Sequence, residues 1–316
     1  MQTRALGSSG LLVSTLGLGC NNFGGMIEGL DLAASQAVIH AALDAGVTLF
    51  DTADSYGANG GSETVLGQTL GERRKDIVLA TKFASPMNRA VSSRYDGSRR
   101  YIMQAVESSL TRLRTDYLDL YQYHFPDPQT PVEETLRALE DLVRQGKVRY
   151  VACSNMPAWQ LVDASWTART HDLPSFLSTQ TEYNLLNREA ETTLFPALRR
   201  TNMSLLPYFP LASGLLSGKY RKGHKAPTGT RLDLPYFKAG LTEDRLDKVE
   251  ALAVFAEARG HTLLELAFAW LLSSPLVASV IAGATRPEQV SSNAAALGWV
   301  LTPDDLTAID AIYGAE

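Results

Sequence analysis

The sequence predicts an eight-stranded parallel barrel wrapped by helices, a (β/α)8 fold in a single domain over residues 1–316. Three observations predict it. Short apolar runs alternate with amphipathic stretches along the whole chain, giving eight strand–helix units without a break. The runs are near-continuously apolar, as strands covered on both faces must be. The main rival, a doubly wound sheet, usually offers a glycine-rich phosphate loop, and Gly17-Leu18-Gly19 lacks the third glycine of that fingerprint. A barrel of roughly 250 residues or more is still one domain at this length.

The elements follow in order. Residues 3–6, the turn Gly7-Ser8-Ser9-Gly10 and residues 11–14 read as a small β-hairpin. Strands are expected at 14–19, 47–50, 77–81, 118–123, 148–153, 176–180, 205–209 and 277–282. Helices are expected to begin near Leu32, Glu63, Arg99, Pro131, Pro157, Arg188, Thr242 and Pro287. Thr130-Pro131-Val132-Glu133 supplies a cap, a first-turn proline and an early acid, and Gly146 closes that helix. Thr302-Pro303 opens a terminal helix to Tyr313, placed to lie across the barrel mouth. Two interruptions, 88–98 after the third strand and 211–240 after the seventh, leave the carboxyl ends of strands, where barrels build their sites.

Composition excludes several classes. With 45% hydrophobic and 20% charged residues the chain is globular, and its net charge of −5 gives no global basic field for nucleic acid or an acidic membrane. Cys20 and Cys153 are too few for a disulfide framework. No signal pattern and no bilayer-length apolar run is present, so a cytoplasmic protein is expected. His40, His171, His224 and His261 sit apart, and no cluster has metal-ligand spacing. Gly214-Leu215-Leu216-Ser217-Gly218-Lys219-Tyr220 resembles a P-loop but is one residue short and lacks Ser or Thr after the lysine.

The chain is organised around Thr48-Leu49-Phe50-Asp51-Thr52-Ala53-Asp54-Ser55-Tyr56-Gly57, a buried strand that stops on an acid and turns to a tyrosine. A turn there brings both side chains to the strand's carboxyl end. An Asp capping the turn and a Tyr packed in the loop is the other reading of these two residues. Lys82 closes the third strand and His124 the fourth, on neighbouring barrel strands. A lysine held by an aspartate stays cationic, and a cation beside a phenol lowers its pKa. Such a phenol can give a proton to a carbonyl oxygen that an imidazole orients.

Other strand ends add polar groups. Ser154 and Asn155 follow the fifth strand, Gln180 and Glu182 lie in the sixth, and Tyr208 is in the seventh. Ser, Asn and Gln suit a planar carboxamide, and an aromatic ring could stack on a flat heterocycle; Asn155 could instead cap the following helix. After the eighth strand, Gly283, Thr285 and Arg286 open a helix as an anion site would, with Gln289 and Asn293 spaced along one face.

On these residues the sequence resembles the aldo-keto reductase superfamily from end to end. The matching stretches are Asp51 with its turn to Gly57, Leu113-Arg114-Thr115-Asp116-Tyr117-Leu118-Asp119-Leu120, Gly146-Lys147-Val148-Arg149-Tyr150-Val151, Pro210-Leu211-Ala212-Ser213-Gly214-Leu215-Leu216-Ser217-Gly218-Lys219-Tyr220, and the segment from Gly283 to Asn293. The resemblance implies a (β/α)8 barrel that uses NADPH without a Rossmann domain. It implies a catalytic set of Asp51, Tyr56, Lys82 and His124, with Tyr56 as the acid. It assigns Asp51, Ser154, Asn155 and Gln180 to the nicotinamide end, with Tyr208 as the stacking ring. Phe209, Pro210, Leu211, Ala212, Ser213, Gly214, Leu215, Lys219 and Arg231 match the loop over the pyrophosphate, and Gly283, Thr285, Arg286, Gln289 and Asn293 match the adenosine-phosphate end. Cys20 and Asn21, where relatives often carry Trp, join the cofactor-facing set. Arg286 and the basic 219–231 loop favour NADPH over NADH.

The expected function is NADPH-dependent reduction of an aldehyde or ketone. A regulatory, redox-sensing subunit of the potassium-channel β type is the alternative, which the resemblance also reaches, although those subunits place Asn where His124 stands. A third reading makes Lys82 a Schiff-base lysine, against which its partner Asp51 argues.

Overall fold

The computed structural model describes residues 1–25, 30–86, 94–224, 228, 232 and 240–314. Strands β1 (Thr3–Ala5) and β2 (Leu12–Ser14) form the antiparallel hairpin. Eight parallel strands follow: β3 (Leu16–Gly19), β4 (Leu49–Asp51), β5 (Val78–Phe83), β6 (Leu118–Tyr123), β7 (Val148–Ser154), β8 (Ser178–Glu182), β9 (Ser204–Tyr208) and β10 (Val280–Gly283). They pair in chain order, and β10 returns to β3. The remaining seam is bridged where Leu205 N–H donates to the Leu276 carbonyl at 2.7 Å and Ala278 N–H to the Leu205 carbonyl at 3.1 Å. The result is a nearly closed barrel.

The helices are α1 (Leu32–Asp44), α2 (Gly61–Thr69), α3 (Arg99–Leu113), α4 (Val132–Arg144), α5 (Ala158–Thr170), α6 (Leu194–Thr201), α7 (Glu243–Glu257), α8 (Leu263–Ser273), α9 (Pro287–Ala295) and α10 (Pro303–Gly314). Their ends are chemically marked. Asp31 accepts from Ala34 N–H at 2.8 Å to start α1, and Gly146 follows α4 at φ 74°. Two differences from the sequence reading appear. The helix expected from Arg188 is first a short 3-10 turn, Glu189–Glu191, before α6. The segment before the last strand holds two helices, because Thr262 and Glu265 form a reciprocal capping box that starts α8 afresh.

Residue parity decides what faces inward. Leu49, Ala80, Leu120, Ala152, Leu206 and Ile281 form the inner packing layer with Leu6 and Val13 of the hairpin, which plugs the amino-terminal end. Phe50, Leu79, Tyr121, Val151 and Leu205 face outward into the larger core under the helices. Side chains alternate along a strand, so a step of two residues from the inner layer reaches Asp51, Lys82, Gln122, Ser154, Tyr208 and Gly283. The carboxyl-end layer of the barrel is therefore polar by the same alternation that makes the layer beneath it apolar.

Candidate active site

The turn after β4 is laced to its neighbour. Thr52 N–H donates to the Ala80 carbonyl at 2.9 Å and Asp54 N–H to the Lys82 carbonyl at 3.2 Å. Tyr56 N–H then donates to the Ala53 carbonyl at 3.1 Å, which folds the phenol back over the strand end. Gly57 makes this possible at φ 72°; a Cβ there would lie 2.8 Å from the Gly24 carbonyl oxygen.

Asp51, Tyr56, Lys82 and His124 converge. The side chain of Lys82 is fully buried, and its ammonium donates to Asp51 Oδ2 at 2.7 Å, the Thr52 carbonyl at 2.9 Å and Tyr56 Oη at 3.2 Å. Its three donors are thus engaged, and Nζ also stands 4.6 Å from the Tyr56 ring centre. Burial works to lower the Lys82 pKa, but the Asp51 charge and the hydrogen bonds outweigh it, and the net shift is upward. That is the state of a fixed cation and not of a Schiff-base amine. His124 meets Tyr56 edge-on, with ring centres 5.7 Å apart at 81°.

One expectation is corrected. The neighbouring cation does pull the Tyr56 pKa down, but burial pushes it up more strongly, and the phenol ends above its ordinary value. Tyr56 is accordingly protonated at neutral pH.

The other strand-end residues bond to one another. Gln180 Nε2 donates to Asp51 Oδ1 at 2.9 Å, and Ser154 Oγ donates to the Gln180 carbonyl at 3.0 Å. Asn155 Nδ2 donates to the His124 carbonyl at 3.1 Å and to Ser154 Oγ at 3.0 Å, while Tyr208 Oη donates to Asn155 Oδ1 at 3.0 Å. Asn155 does not cap the next helix; Pro157 occupies that position without a side-chain bond. Cys20 is buried with its thiol turned to the Leu18 carbonyl, and it meets the site through its backbone, whose N–H donates to the Asp51 carbonyl at 2.9 Å. Asn21 sits at the end of β3 beside Gly283, where a Cβ would lie 3.7 Å from Asn21 Oδ1 and 3.2 Å from Asn22 Nδ2.

Beyond β9 the backbone takes an unusual path. Phe209 (φ 49°), Ala212 (φ 47°), Ser213 (φ 59°) and Gly214 (φ 106°) are all left-handed, around Pro210 and Leu211 and ahead of the buried Leu215. Non-glycine residues in that region cost on the order of 1 kcal/mol each, so the loop is held in this shape by its surroundings. Within it Ala212 N–H donates to the Phe209 carbonyl at 2.9 Å and Gly214 N–H to the Leu211 carbonyl at 2.8 Å, and the exposed Lys219 follows the loop. Arg231 lies outside the described residues. At the start of α9, Thr285 and Arg286 are exposed, but Gln289 turns back, its Oε1 accepting from Thr285 N–H at 2.7 Å and Oγ1 at 3.1 Å. Asn293, one turn further along the same face of α9, is buried.

Two groups escaped the sequence reading. Gln122 is fully buried in β6, and its Nε2 donates to Asp51 Oδ1 at 2.7 Å. Its signal was a glutamine in an apolar strand, in phase with His124. Behind the site, buried Glu63 accepts from Thr81 Oγ1 at 2.5 Å and from Arg112 Nε at 2.7 Å. Asp54 lies near this pair, accepting from Tyr101 Oη at 3.0 Å on Oδ2, while Oδ1 has no partner among the described residues. Burial first, and then the Glu63 charge, push the Asp54 carboxyl up to about 8.

A carboxyl raised in the fold keeps a proton that the unfolded chain loses near pH 4, so stability falls as pH rises from about 4 to about 8 and then levels. Asp54→Asn keeps the Tyr101 contact and removes the titration. It is expected to be more stable than the parent at pH 9 by at least about 1 kcal/mol, with the difference closing toward pH 4. Urea unfolding at both pH values checks this.

Among the described residues no group of three or more His, Cys, Asp or Glu could hold a metal ion, and no helix is long and apolar enough to cross a membrane. Comparison with known proteins adds the following. The aldo/keto reductase family model matches residues 15–314. The chain is 38% identical over 331 positions to a probable voltage-gated potassium channel subunit beta of Oryza sativa subsp. japonica, covering 100% of this chain and 98% of that one. A probable voltage-gated potassium channel subunit beta of Arabidopsis thaliana is likewise 38% identical over 331 positions, covering 100% and 98%. The aldo-keto reductase YhdN of Bacillus subtilis (strain 168) is 34% identical over 317 positions, covering 99% of this chain and 93% of its own.

Proposed function

The chain belongs to the aldo/keto reductase family of oxidoreductases, and from that premise we propose that it reduces aldehydes or ketones to alcohols with NADPH, Tyr56 giving the proton. The observation that supports this best is the meeting of Asp51, Tyr56, Lys82 and His124 at the polar end of the barrel. NADPH, when bound, supplies hydride to the carbonyl carbon. Every other requirement falls to the chain. Tyr56, protonated at neutral pH, donates to the carbonyl oxygen as negative charge develops there. The Lys82 ammonium, bonded to Tyr56 Oη, stabilises the phenolate left behind, and Asp51 keeps Lys82 charged. The His124 ring, edge-on to Tyr56, lies where it can orient the same oxygen.

The residues present fit a dinucleotide. Ser154, Asn155 and Gln180 offer donors and acceptors to a carboxamide, and Tyr208 a ring beside it. The loop from Phe209 to Gly214 leads from Tyr208 to the exposed Lys219, whose charge suits a pyrophosphate. Thr285 and Arg286 at the start of α9 suit the adenosine phosphate and favour NADPH over NADH.

The test is direct. Purified protein is offered a panel of aldehydes and ketones with NADPH and, separately, NADH, and cofactor absorbance is followed. Turnover with NADPH exceeding that with NADH is expected; no turnover with any carbonyl would overturn the reading. The names of the plant relatives favour a second reading, a regulatory NADPH-binding subunit of channel-β type. Tight NADPH binding without turnover, together with co-purification with a membrane channel, would support it.

A further inference from the structure

We infer that Gln122 is a positioning residue for Asp51, holding its carboxylate so that Oδ2 stays on Lys82 throughout turnover. The inference rests on the reading of the site just proposed. Gln122 lies in register between Lys82 on β5 and Ala152 on β7, with no exposure to solvent. Its orientation is set by charge: an ionised carboxylate only accepts, so the amide must turn its NH2 end to Asp51 Oδ1, at 2.7 Å. That choice leaves its own carbonyl oxygen without a partner among the described residues. A buried amide with an unmade acceptor is costly, and an apolar side chain would serve packing better here. The inner-layer residues nearest it, Leu120 and Ala152, are apolar. Packing therefore does not account for Gln122, whereas its bond to Asp51 does.

Asp51 shows why a dedicated donor is useful. Oδ2 takes the Lys82 ammonium at 2.7 Å, while Oδ1 takes two amides, Gln122 at 2.7 Å and Gln180 at 2.9 Å. Gln180 is also a proposed partner of the nicotinamide carboxamide. An amide engaged there is withdrawn from Asp51, and Oδ1 then depends on Gln122. With that bond in place the carboxylate cannot swing away from Lys82, and part of its charge is dispersed onto a neutral dipole. The ammonium keeps its direction toward the Tyr56 oxygen. Gln122 touches neither substrate nor cofactor in this scheme; it acts through Asp51.

Two variants test it. Gln122→Met removes the donor at similar volume and is expected to lower kcat about tenfold, with NADPH Kd and substrate KM essentially unchanged. Gln122→Glu carries a donor only when protonated, so its kcat relative to wild type should climb as pH falls and sink as pH rises. A merely structural role would lower the fraction of folded enzyme and leave kcat per folded molecule unchanged. The inference is overturned if Gln122→Met retains wild-type kcat, or if the Gln122→Glu ratio is flat across pH. The ratio for Gln122→Glu decides the matter even if Gln122→Met fails to fold. Tyr56→Phe separates the two levels: if it stays active, the reading of the site is at fault. If it is inactive while both Gln122 variants behave as wild type, only the role of Gln122 falls.

Discussion

Tyr56→Phe is expected to lower kcat for NADPH-linked carbonyl reduction by about 10²–10⁴-fold, the range for losing a positioned general acid. That loss corresponds to about 3–5 kcal/mol of transition-state stabilisation. The substitution is chosen because it removes one oxygen and little else. The ring still meets His124 edge-on and still stands over the Lys82 ammonium, so the fold and the shape of the pocket are kept. What disappears is the acceptor of the third Lys82 hydrogen bond and the proton for the carbonyl oxygen. NADPH affinity should stay essentially unchanged, since Ser154, Asn155 and the loop after β9 are untouched. Single-turnover absorbance measurements with a fluorescence titration of NADPH separate the two quantities. Full activity in this variant would remove the proposed chemistry altogether.

Arg112→Ala is expected to destabilise the fold by about 3–5 kcal/mol, the usual cost of leaving one partner of a buried ion pair alone. Glu63 has a fully buried side chain, and both Nε and the second guanidinium nitrogen of Arg112 reach its Oε2 at 2.7 Å. Without Arg112, that charge keeps only the Thr81 hydroxyl, and it lies close to Asp54, whose carboxyl it already pushes up. The pair also ties α2 to α3 over the outer face of β5, so the loss is felt across three elements. Adding Glu63→Gln to Arg112→Ala should recover much of the stability, because the double change removes the uncompensated charge. Denaturant midpoints of the four proteins, read as a double-mutant cycle, give the coupling. A coupling near zero would show that Arg112 acts through packing alone.

The barrel was legible because its signal is local. The run 118–123 is β6 to the residue, and the onsets at Leu32, Arg99 and Pro287 coincide with helix starts. Several strands run one or two residues further than their apolar runs, ending at Asp51, Phe83, Ser154 and Glu182. Backbone pairing continues there through polar side chains such as Asp51, Lys82, Ser154 and Glu182, so an apolar run does not mark where the ladder ends. The start of α8 could have been read from Thr262 and Glu265, a capping box in plain sequence. The apolar stretch around it masked the break.

By itself the sequence determined which side chains stand at the carboxyl end of the barrel, because a two-residue alternation and the order of strands are properties of the chain alone. Asp51, Lys82 and His124 followed from that, as did Ser154 and Tyr208, while Tyr56 followed from the turn after Asp51. Only the tertiary structure decided how these groups divide their bonds: that Gln122 and Gln180, 71 and 129 positions from Asp51, share one of its oxygens. It also decided that the Tyr56 phenol is pushed up despite the cation beside it, and that Asp54, Glu63 and Arg112 form one buried charge group. The physical reason is that desolvation and electrostatic energy sum over everything near a group in space, whatever its distance along the chain.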